Sequence, residues 1–227
     1  MKLIVIIPAY NEERTIGSVI KSIPEVNGRI SKTEVIVVDD GSKDKTKEIA
    51  EKNGALVLSH RVNLGKGAAL KTGCDAAIMK NADIIVILDS DGQHDPSEIP
   101  PLLEKLKEND IVFSRRIKRE NMPLFAKIGN FGLKFFTRLL FNVNVNDPQS
   151  GFRAFTKECY EKIRWNTTGY SVENEIIARV GINKLKYSEI LIKTIYKDKY
   201  KGTTLLDGFK ILVDMIILRL TLRKWYQ

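Results

Sequence analysis

Cysteines and long apolar runs are scarce in this sequence, and each scarcity excludes a class of protein. The only cysteines, Cys74 and Cys159, are far apart and in no C-x-x-C spacing, so a reducing compartment is expected and a secreted disulfide scaffold is not. No uninterrupted apolar stretch approaches the roughly 20 residues of a membrane-spanning helix. The apolar run at residues 3–7 is too short for a secretory signal. A polytopic membrane protein is therefore excluded.

Positive charge is what the chain has in excess. Its 227 residues include 37 Lys+Arg against 28 Asp+Glu, which gives a net charge of +9. That excess suits an anionic partner, either nucleic acid, a phosphorylated substrate or a membrane surface. No nucleic-acid-binding motif accompanies the charge, so nucleic acid is not an expected partner. At roughly 150 residues per domain, the length suits one large domain, with or without a small appendage.

Short apolar runs alternate with helical patterns through the first half of the chain. Strands are expected at residues 3–7, 34–38, 55–59 and 84–88, and the intervening helices at residues 12–23, 43–53 and 67–80. Continuously apolar strands that alternate with helices predict a parallel sheet covered on both faces, and therefore a doubly wound α/β domain. The second half is less regular, with an aromatic helix expected at residues 127–141 and an apolar one at about 205–225.

Acidic residues follow three of the predicted strands. In parallel sheets ligands bind beyond the carboxyl ends of the strands, so these residues are expected to meet at one edge. A single Asp at a strand end is more often a turn residue or a helix cap. Several acidic residues together in a basic protein favour a cation or a hydrogen-bonding ligand, because their mutual repulsion is otherwise costly. The residues concerned are Glu12, Asp39, Asp40, Asp89 and Asp91.

The spacing Asp89-x-Asp91 is the sharpest of these signals. In extended chain, residues i and i+2 point the same way, so both carboxylates are able to face one cation. Oxygen ligands suit Mg²⁺ or Mn²⁺, which also bridge to substrate phosphates. Gln93 adds an amide oxygen. The sequence therefore predicts a divalent-metal site at Asp89, Asp91 and Gln93.

A glycine-rich segment opens the predicted helix at residues 67–80. Lys66 stands between Gly65 and Gly67, in a pattern that is neither a P-loop nor G-x-G-x-x-G. One interpretation is a tightly packed helix start. The other places Lys66 and the helix N-terminal amides near a phosphate.

Five ordered motifs resemble those of the family-2 inverting glycosyltransferases, over about residues 2–204. They are P-A-Y-N-E, V-V-D-D-G-S, N-L-G-K-G, L-D-S-D-G-Q and D-P-Q-S-G-F-R, at residues 8–12, 37–42, 63–67, 88–93 and 147–153. The last motif resembles the branch that contains dolichyl-phosphate mannose synthase and the polyprenyl-phosphate glycosyltransferases. The resemblance implies a Rossmann-like nucleotide-diphospho-sugar transferase fold of the GT-A type, with a mostly parallel sheet and C-terminal amphipathic helices. It also implies a glycosyltransferase domain at residues 1–204.

The resemblance also implies a reaction and a set of donor residues. A hexose would pass from a nucleoside diphosphate to a polyprenyl phosphate with inversion, with Mg²⁺ or Mn²⁺ at the D-x-D motif. GDP-mannose is favoured narrowly over UDP-glucose and UDP-N-acetylglucosamine. The donor residues would be Pro8, Ala9, Tyr10, Glu12, Asp39, Asp40, Lys66, Asp89, Ser90 and Asp91.

The acceptor phosphate calls for cations, because it is already an anionic nucleophile and needs little general-base catalysis. The candidates are Arg115, Arg116, Lys127, Ser150 and Lys199, with Asp91 and Asp147 as catalytic residues. Phe113 stands where the family usually has glycine, and Ala126 where it often has arginine. An alternative is a family-2 enzyme that elongates a glycolipid or polysaccharide. Its hydroxyl acceptor would require Asp147 as the base.

Two helices are candidates for contact with a lipid surface. In the aromatic helix, Lys127, Lys134 and Arg138 form a basic stripe beside phenylalanines, which suits an interfacial helix. A core helix with snorkelling lysines is the alternative. The segment 205–227 is apolar and basic, and is expected to contact a membrane interface or a second subunit. These features predict a cytoplasmic protein at the membrane face, with a homodimer or a membrane-anchoring partner as candidate assemblies.

Overall fold

The protein is a three-layer α/β structure in which helices cover both faces of one twisted sheet. The computed structural model describes residues 1–26, 28–117, 124–193 and 213–221, with residues 124–131 described by their backbone alone. The strands are β1 (Lys2–Ala9), β2 (Lys32–Asp39), β3 (Leu56–Ser59), β4 (Ile84–Ile87), β5 (Ile111–Arg116), β6 (Arg153–Thr156) and β7 (Tyr187–Ile192). The helices are α1 (Ile16–Lys21), α2 (Thr46–Lys52), α3 (Lys66–Met79), α4 (Ile99–Leu106), α5 (Leu124–Phe141), α6 (Lys157–Ile163) and α7 (Val172–Ile182).

The sheet has the order β3-β2-β1-β4-β6-β5-β7. All neighbouring strands are parallel except β6, which runs antiparallel to both β4 and β5. The predicted mostly parallel sheet is therefore confirmed. The short strand β6 was not predicted, and it carries the end of the D-P-Q-S-G-F-R motif into the centre of the sheet.

Alternate residues of the central strands enter two apolar cores. On one face, Ile4 and Ile6 pack with residues of α3, α6 and α7. On the other, Leu3 and Val5 pack with residues of α1, α2 and α4. Burial on both faces explains why these strands are continuously apolar, as parallel strands between two helical layers must be.

Helix α1 is shorter than the predicted helix at residues 12–23. The carbonyl of Glu12 accepts from the amides of Thr15 and Ile16 in a turn. The amide of Glu12 donates instead to the hydroxyl of Thr46, 2.8 Å away. Residues 12–15 therefore form a loop that is fixed to the start of α2, and the helix begins at Ile16.

The C-terminal segment is helical over residues 213–221, the part that the structure describes. Met215 is buried in the core beside α7, and the Ser171 hydroxyl donates to Asp214 at 2.6 Å. Ile217 and Leu220 are exposed. The boundary predicted at residues 204–205 lies outside the described residues. Within the described residues, no helix has both the length and the apolar character needed to cross a membrane.

Candidate active site

The loops after β1 and β2 lie side by side at the carboxyl edge of the sheet. Ala9 pairs with Asp39 at the ends of these strands. Beyond them, the Asn11 amide donates to the Ser42 hydroxyl at 2.9 Å, and Asn11 Oδ1 accepts from the Lys43 amide at 2.8 Å. The predicted meeting of strand ends is confirmed for these two loops. Of the donor residues predicted here, Pro8 and Ala9 are buried in β1, whereas Tyr10 is 44% exposed.

Asp39 and Asp40 are buried, and their carboxylates are bonded within the protein. Asp40 accepts from the amides of Leu64 and Gly65 at 2.9 and 2.8 Å, and lies 2.6 Å from His60 Nδ1. Asp39 accepts from the Ser42 amide at 3.1 Å. Part of the acidic cluster is thus stabilised by the protein's own loops. The charge of Asp40 is therefore offset by these internal bonds, and its place in the donor site stays a prediction.

The loop that Asp40 anchors leads into Gly65, Lys66 and Gly67. Gly65 has a φ of +97°, and a Cβ on it would lie 2.6 Å from the Thr168 carbonyl oxygen. A Cβ on Gly67 would lie 2.3 Å from the Thr167 carbonyl oxygen. The glycines therefore allow close packing against the loop before α7. This packing fixes the backbone on either side of Lys66.

Lys66 bridges two carboxylates from distant parts of the sequence. Its Nζ lies 2.8 Å from Asp89 Oδ1 and 2.9 Å from Glu173 Oε1. Glu173 is 4% exposed, so its carboxylate is buried and does not lie on a solvated helix face. Burial opposes ionisation of Asp89, but the charge and the hydrogen bond of Lys66, together with other neighbouring cations, outweigh it and lower the pKa of Asp89 to about 2. The pKa of Lys66 is raised, because its two carboxylates outweigh the effect of burial.

Several buried polar atoms around this ion cluster have no hydrogen-bond partner. Among the described residues they include Glu173 Oε2, Asn174 Nδ2, Arg153 Nη1 and His94 Nδ1. Burial lowers the pKa of Arg153, and the charges of Glu173, Asp89 and Asp147 oppose that shift. An unsatisfied buried polar group is costly. These atoms are therefore able to form hydrogen bonds with a bound ligand or with water.

The D-x-D motif is a turn rather than extended chain. Strand β4 ends at Ile87, and Asp91 Oδ1 accepts from the amide of Gln93 at 2.9 Å. The argument that both carboxylates point the same way from an extended strand is therefore wrong. No group of three or more His, Cys, Asp or Glu able to hold a metal occurs in the described parts of the chain. Two carboxylates and one amide nevertheless fit Mg²⁺, which takes further oxygens from water and substrate phosphates.

Arg116 and Asp147 form a two-point ion pair. Arg116 Nε and Nη2 donate to the two oxygens of Asp147 at 2.7 and 2.9 Å, and the Arg116 amide donates to Asp147 Oδ2 at 3.2 Å. The Arg116 side chain is 34% exposed. Arg153 donates instead to the backbone carbonyls of Ser150 and Gly151.

The remaining acceptor candidates differ in where they lie. Ser150 is in the same turn as Asp147, and its amide donates to the Asp147 carbonyl at 3.2 Å. Arg115 is exposed, and it precedes Arg116 on β5, so its side chain leaves the opposite face of the sheet. Ser150 is 3% exposed and its hydroxyl lies 2.6 Å from that of Ser114. Lys199 and the side chain of Lys127 are outside the described residues.

Sequence reasoning missed two contributors near the acceptor candidates. His94 is buried, and its Nδ1 lies 3.7 Å from Asp89 Oδ2; burial lowers the pKa of His94. Glu189 on β7 accepts from the amides of Asn146 and Asp147 at 2.6 and 3.3 Å. His94 follows the D-x-D motif closely, which was a usable signal. Glu189 is 42 residues from Asp147, and the sequence shows no pattern that links them.

Comparison with known proteins identifies the family of this chain. The family model described as "Glycosyl transferase family 2" matches residues 4–164. The chain belongs to this family. It is 36% identical to the UDP-N-acetylglucosamine–dolichyl-phosphate N-acetylglucosaminyltransferase of Methanococcus voltae, with 95% of each chain covered. It is 31% identical to the dolichol-phosphate mannosyltransferase of Pyrococcus furiosus, over 91% of this chain and 61% of that protein.

A solved structure supports the fold of this glycosyltransferase. Glucosyl-3-phosphoglycerate synthase of Mycobacterium tuberculosis, in complex with Mn²⁺, uridine-diphosphate-glucose and phosphoglyceric acid, superposes with a TM-score of 0.70. The two sequences are 27% identical, with 97% of this chain and 79% of that chain covered. The predicted GT-A type fold and the predicted glycosyltransferase family are therefore confirmed.

Proposed function

We propose that this glycosyltransferase transfers a sugar, with inversion, from a nucleoside diphosphate to the phosphate of a polyprenyl phosphate. The observation that carries the acceptor assignment is the Arg116–Asp147 ion pair. Both oxygens of Asp147 accept from Arg116, so this carboxylate is poorly placed to take a proton from an acceptor hydroxyl. A phosphate acceptor needs no such base. The names of the relatives from Methanococcus voltae and Pyrococcus furiosus support the same acceptor class.

In this proposal, Arg116 binds the acceptor phosphate and Asp147 orients Arg116. A guanidinium held at two points by a carboxylate keeps a fixed plane, which suits it to recognise a phosphate. The Arg116 side chain is 34% exposed, so it is not sealed inside the protein. Asp147 is then a positioning residue, in place of the catalytic role that the sequence suggested. Arg115, Ser150, Lys127 and Lys199 remain predictions for this phosphate.

On the donor side, Asp89, Asp91 and Gln93 would hold a divalent ion. When bound, Mg²⁺ or Mn²⁺ would offset the charge that develops on the leaving diphosphate. Related solved structures contain Mn²⁺ or Mg²⁺ together with UDP. Lys66 keeps Asp89 ionised and fixes one of its oxygens. Tyr10, Glu12, Asp39 and Ser90 remain candidates for donor contacts.

For the donor, we propose UDP-N-acetylglucosamine first and GDP-mannose second. The relative with that uridine donor in its name is matched over 95% of its length, against 61% for the mannosyltransferase. The narrow preference for mannose from the sequence remains a competing prediction.

We further propose that α5 and the helical residues 213–221 contact a membrane surface. Phe135 and Leu139 of α5 are 52% and 64% exposed, and Arg138 beside them is also exposed. Lys134, assigned to the same basic stripe, instead donates to Asn146. Exposed apolar side chains beside cations suit an interface with anionic lipid. A peripheral position at the cytoplasmic membrane face follows, and a homodimer remains an alternative use of this surface.

Parallel transfer assays test this function directly. UDP-N-acetylglucosamine, UDP-glucose and GDP-mannose would each be incubated with a short polyprenyl phosphate and with the matching polyprenyl alcohol, in Mn²⁺ or in EDTA. We expect a lipid-linked sugar from one donor only, with the phosphate only, and none in EDTA. Transfer to a glycolipid hydroxyl without transfer to the phosphate would contradict the proposal and favour the elongating enzyme.

A further inference from the structure

Glu189 contacts the turn that carries Asp147, and no sequence motif includes this residue. It lies on β7 opposite Phe113 of β5, and Phe113 is three residues before Arg116 on that strand. Its Oε1 accepts from the amides of Asn146 and Asp147 at 2.6 and 3.3 Å, and its Oε2 accepts from Asn146 Nδ2 at 2.5 Å. One carboxylate thus receives three N–H groups from the turn that carries Asp147.

The hydrogen-bond partners of the Asn146 side chain allow only one orientation of its amide group. The ammonium group of Lys134 on α5 is a hydrogen-bond donor only, and it donates to Asn146 Oδ1 at 2.5 Å. Asn146 Nδ2 then faces Glu189 Oε2, which only accepts. A lysine on one side and a carboxylate on the other therefore fix the orientation of the Asn146 amide. The turn is also held by the Tyr187 hydroxyl, which accepts from the Asn144 amide at 2.8 Å.

We infer that Glu189 is a positioning residue for the acceptor phosphate, acting through the turn at Asn146 and Asp147 on Arg116. This inference rests on the proposed function, because it assigns Arg116 to the acceptor. Asp147 holds both the side chain and the backbone amide of Arg116. If this turn shifted, Asp147 would move with it, and the Arg116 guanidinium would no longer be held in one orientation. Glu189 fixes this turn without touching the substrate.

The substitution Glu189→Gln tests the inference, because it keeps the shape of the side chain and one acceptor oxygen. Its NH₂ group would face Asn146 Nδ2, so two donors would meet. Rotating the Asn146 amide would only move the conflict to Lys134 Nζ. We expect the KM for a water-soluble short prenyl phosphate to rise about tenfold, the effect of losing one hydrogen bond to a charged group. The donor KM and the kcat at saturating acceptor should not change.

Removing Lys134 should relieve the conflict. In the double variant Lys134→Met/Glu189→Gln, the Asn146 amide is able to turn its oxygen toward the new NH₂ group. We expect the acceptor KM of the double variant to fall back toward that of Lys134→Met alone. A general loss of packing at Glu189 would not be repaired by a second substitution. An unchanged acceptor KM in Glu189→Gln, or a raised one that Lys134→Met does not lower, would overturn the inference.

Asp110→Asn provides a matched control at the opposite end of the same two strands. Asp110 precedes β5 and accepts from the Lys186 amide, just before β7, at 2.7 Å. It therefore makes the same kind of contact far from Arg116, and its substitution should leave the acceptor KM unchanged.

Amide hydrogen exchange separates failure of this inference from failure of the proposed function. Glu189→Gln should accelerate exchange at Asn146 and Asp147 relative to both the wild type and Asp110→Asn. If wild-type protein transfers nothing to a prenyl phosphate but exchange accelerates, the acceptor assignment fails and the positioning of the turn stands. Exchange that does not change at these two amides would contradict the positioning role itself.

Discussion

Gly151 lies so close to Asp89 that a Cβ atom on this glycine would stand 2.4 Å from Asp89 Oδ2. The first residue belongs to the loop that follows Asp147, and the second to the loop after β4. The acceptor-side and donor-side parts of the proposed site therefore touch at a point where only a hydrogen atom fits. Lys66 holds the other oxygen of Asp89, so this carboxylate is confined from two sides.

Gly151→Ala should therefore displace Asp89. The methyl group requires a shift of about 1 Å, and misplacement of that size in a catalytic site costs about a hundredfold in rate. We expect kcat to fall by about this factor, with weaker metal binding measured by titration calorimetry. Gly169→Ala is the control, because nothing lies within 4 Å of a Cβ at that position. Equal activities of the two variants would contradict this account of Gly151.

The bridge made by Lys66 predicts a stability effect separate from activity. Lys66→Met would leave Asp89 and Glu173 facing each other without a cation. Breaking a buried ion pair from one side typically costs about 3–5 kcal/mol of unfolding free energy. We expect Lys66→Met to lower the unfolding free energy by about 3 kcal/mol, as measured by urea denaturation. The lower end of the range applies because the Asp89 side chain is 21% exposed.

A double-mutant cycle with Glu173→Gln supplies the control for Lys66→Met. With both partners removed, the loss should be smaller than the sum of the two single losses by about 1–3 kcal/mol. Strict additivity would mean that the Lys66–Glu173 contact contributes nothing to stability.

The sequence predicts the first half of this fold well for a physical reason. β1 and β4 are buried on both faces, so each appears as a continuous apolar run. Strand β6 does not appear as an apolar run, because its four residues begin with Arg153, a buried cation that donates to local carbonyls. Such a strand shows neither alternation nor a continuous apolar run, and its place between β4 and β5 depends on long-range pairing.

The candidate site was predictable in composition and only partly in geometry. Acidic strand ends predicted where Asp40 and Asp89 would lie, but not what they contact. Asp40 anchors the loop before α3, whereas Asp89 pairs with Lys66. The choice between the protein's own amides and an external ligand depends on loop conformation. The distant partners of this site, Glu173 and Glu189, are set by tertiary packing, which local sequence patterns do not encode.

Membrane contact through α5 predicts a specific loss of vesicle binding. Phe135→Ser/Leu139→Ser removes two exposed apolar side chains that would be buried in lipid at about 1.5–3 kcal/mol each when fully buried. We expect binding to vesicles that contain anionic lipid to weaken at least tenfold, as measured by co-sedimentation, with little change in melting temperature. Met79→Ser is the control, because Met79 is 83% exposed on α3. Equal losses in both variants would contradict a specific role for α5.

Glu34 predicts how the stability of the protein depends on pH. This carboxylate on β2 lies 2.7 Å from Lys32 Nζ, 2.9 Å from Lys2 Nζ and 3.4 Å from Lys80 Nζ. Hydrogen bonds from Lys32 and then Lys2 lower the pKa of Glu34 from 4.5 to about 2. Because the folded pKa is depressed, the stabilisation is complete above the unfolded value and is lost as the pH falls toward 2.

Glu34→Gln should therefore cost stability at neutral pH and very little in acid. We expect a loss of about 1 kcal/mol at pH 7, the upper range for a surface ion pair, because three lysines share this half-buried carboxylate. The difference from wild type should begin to shrink below about pH 4.5 and nearly vanish near pH 2. Urea unfolding of both proteins across this range, at low and high salt, measures it. A difference that stayed constant with pH would show that the charge of Glu34 is not the source of the stabilisation.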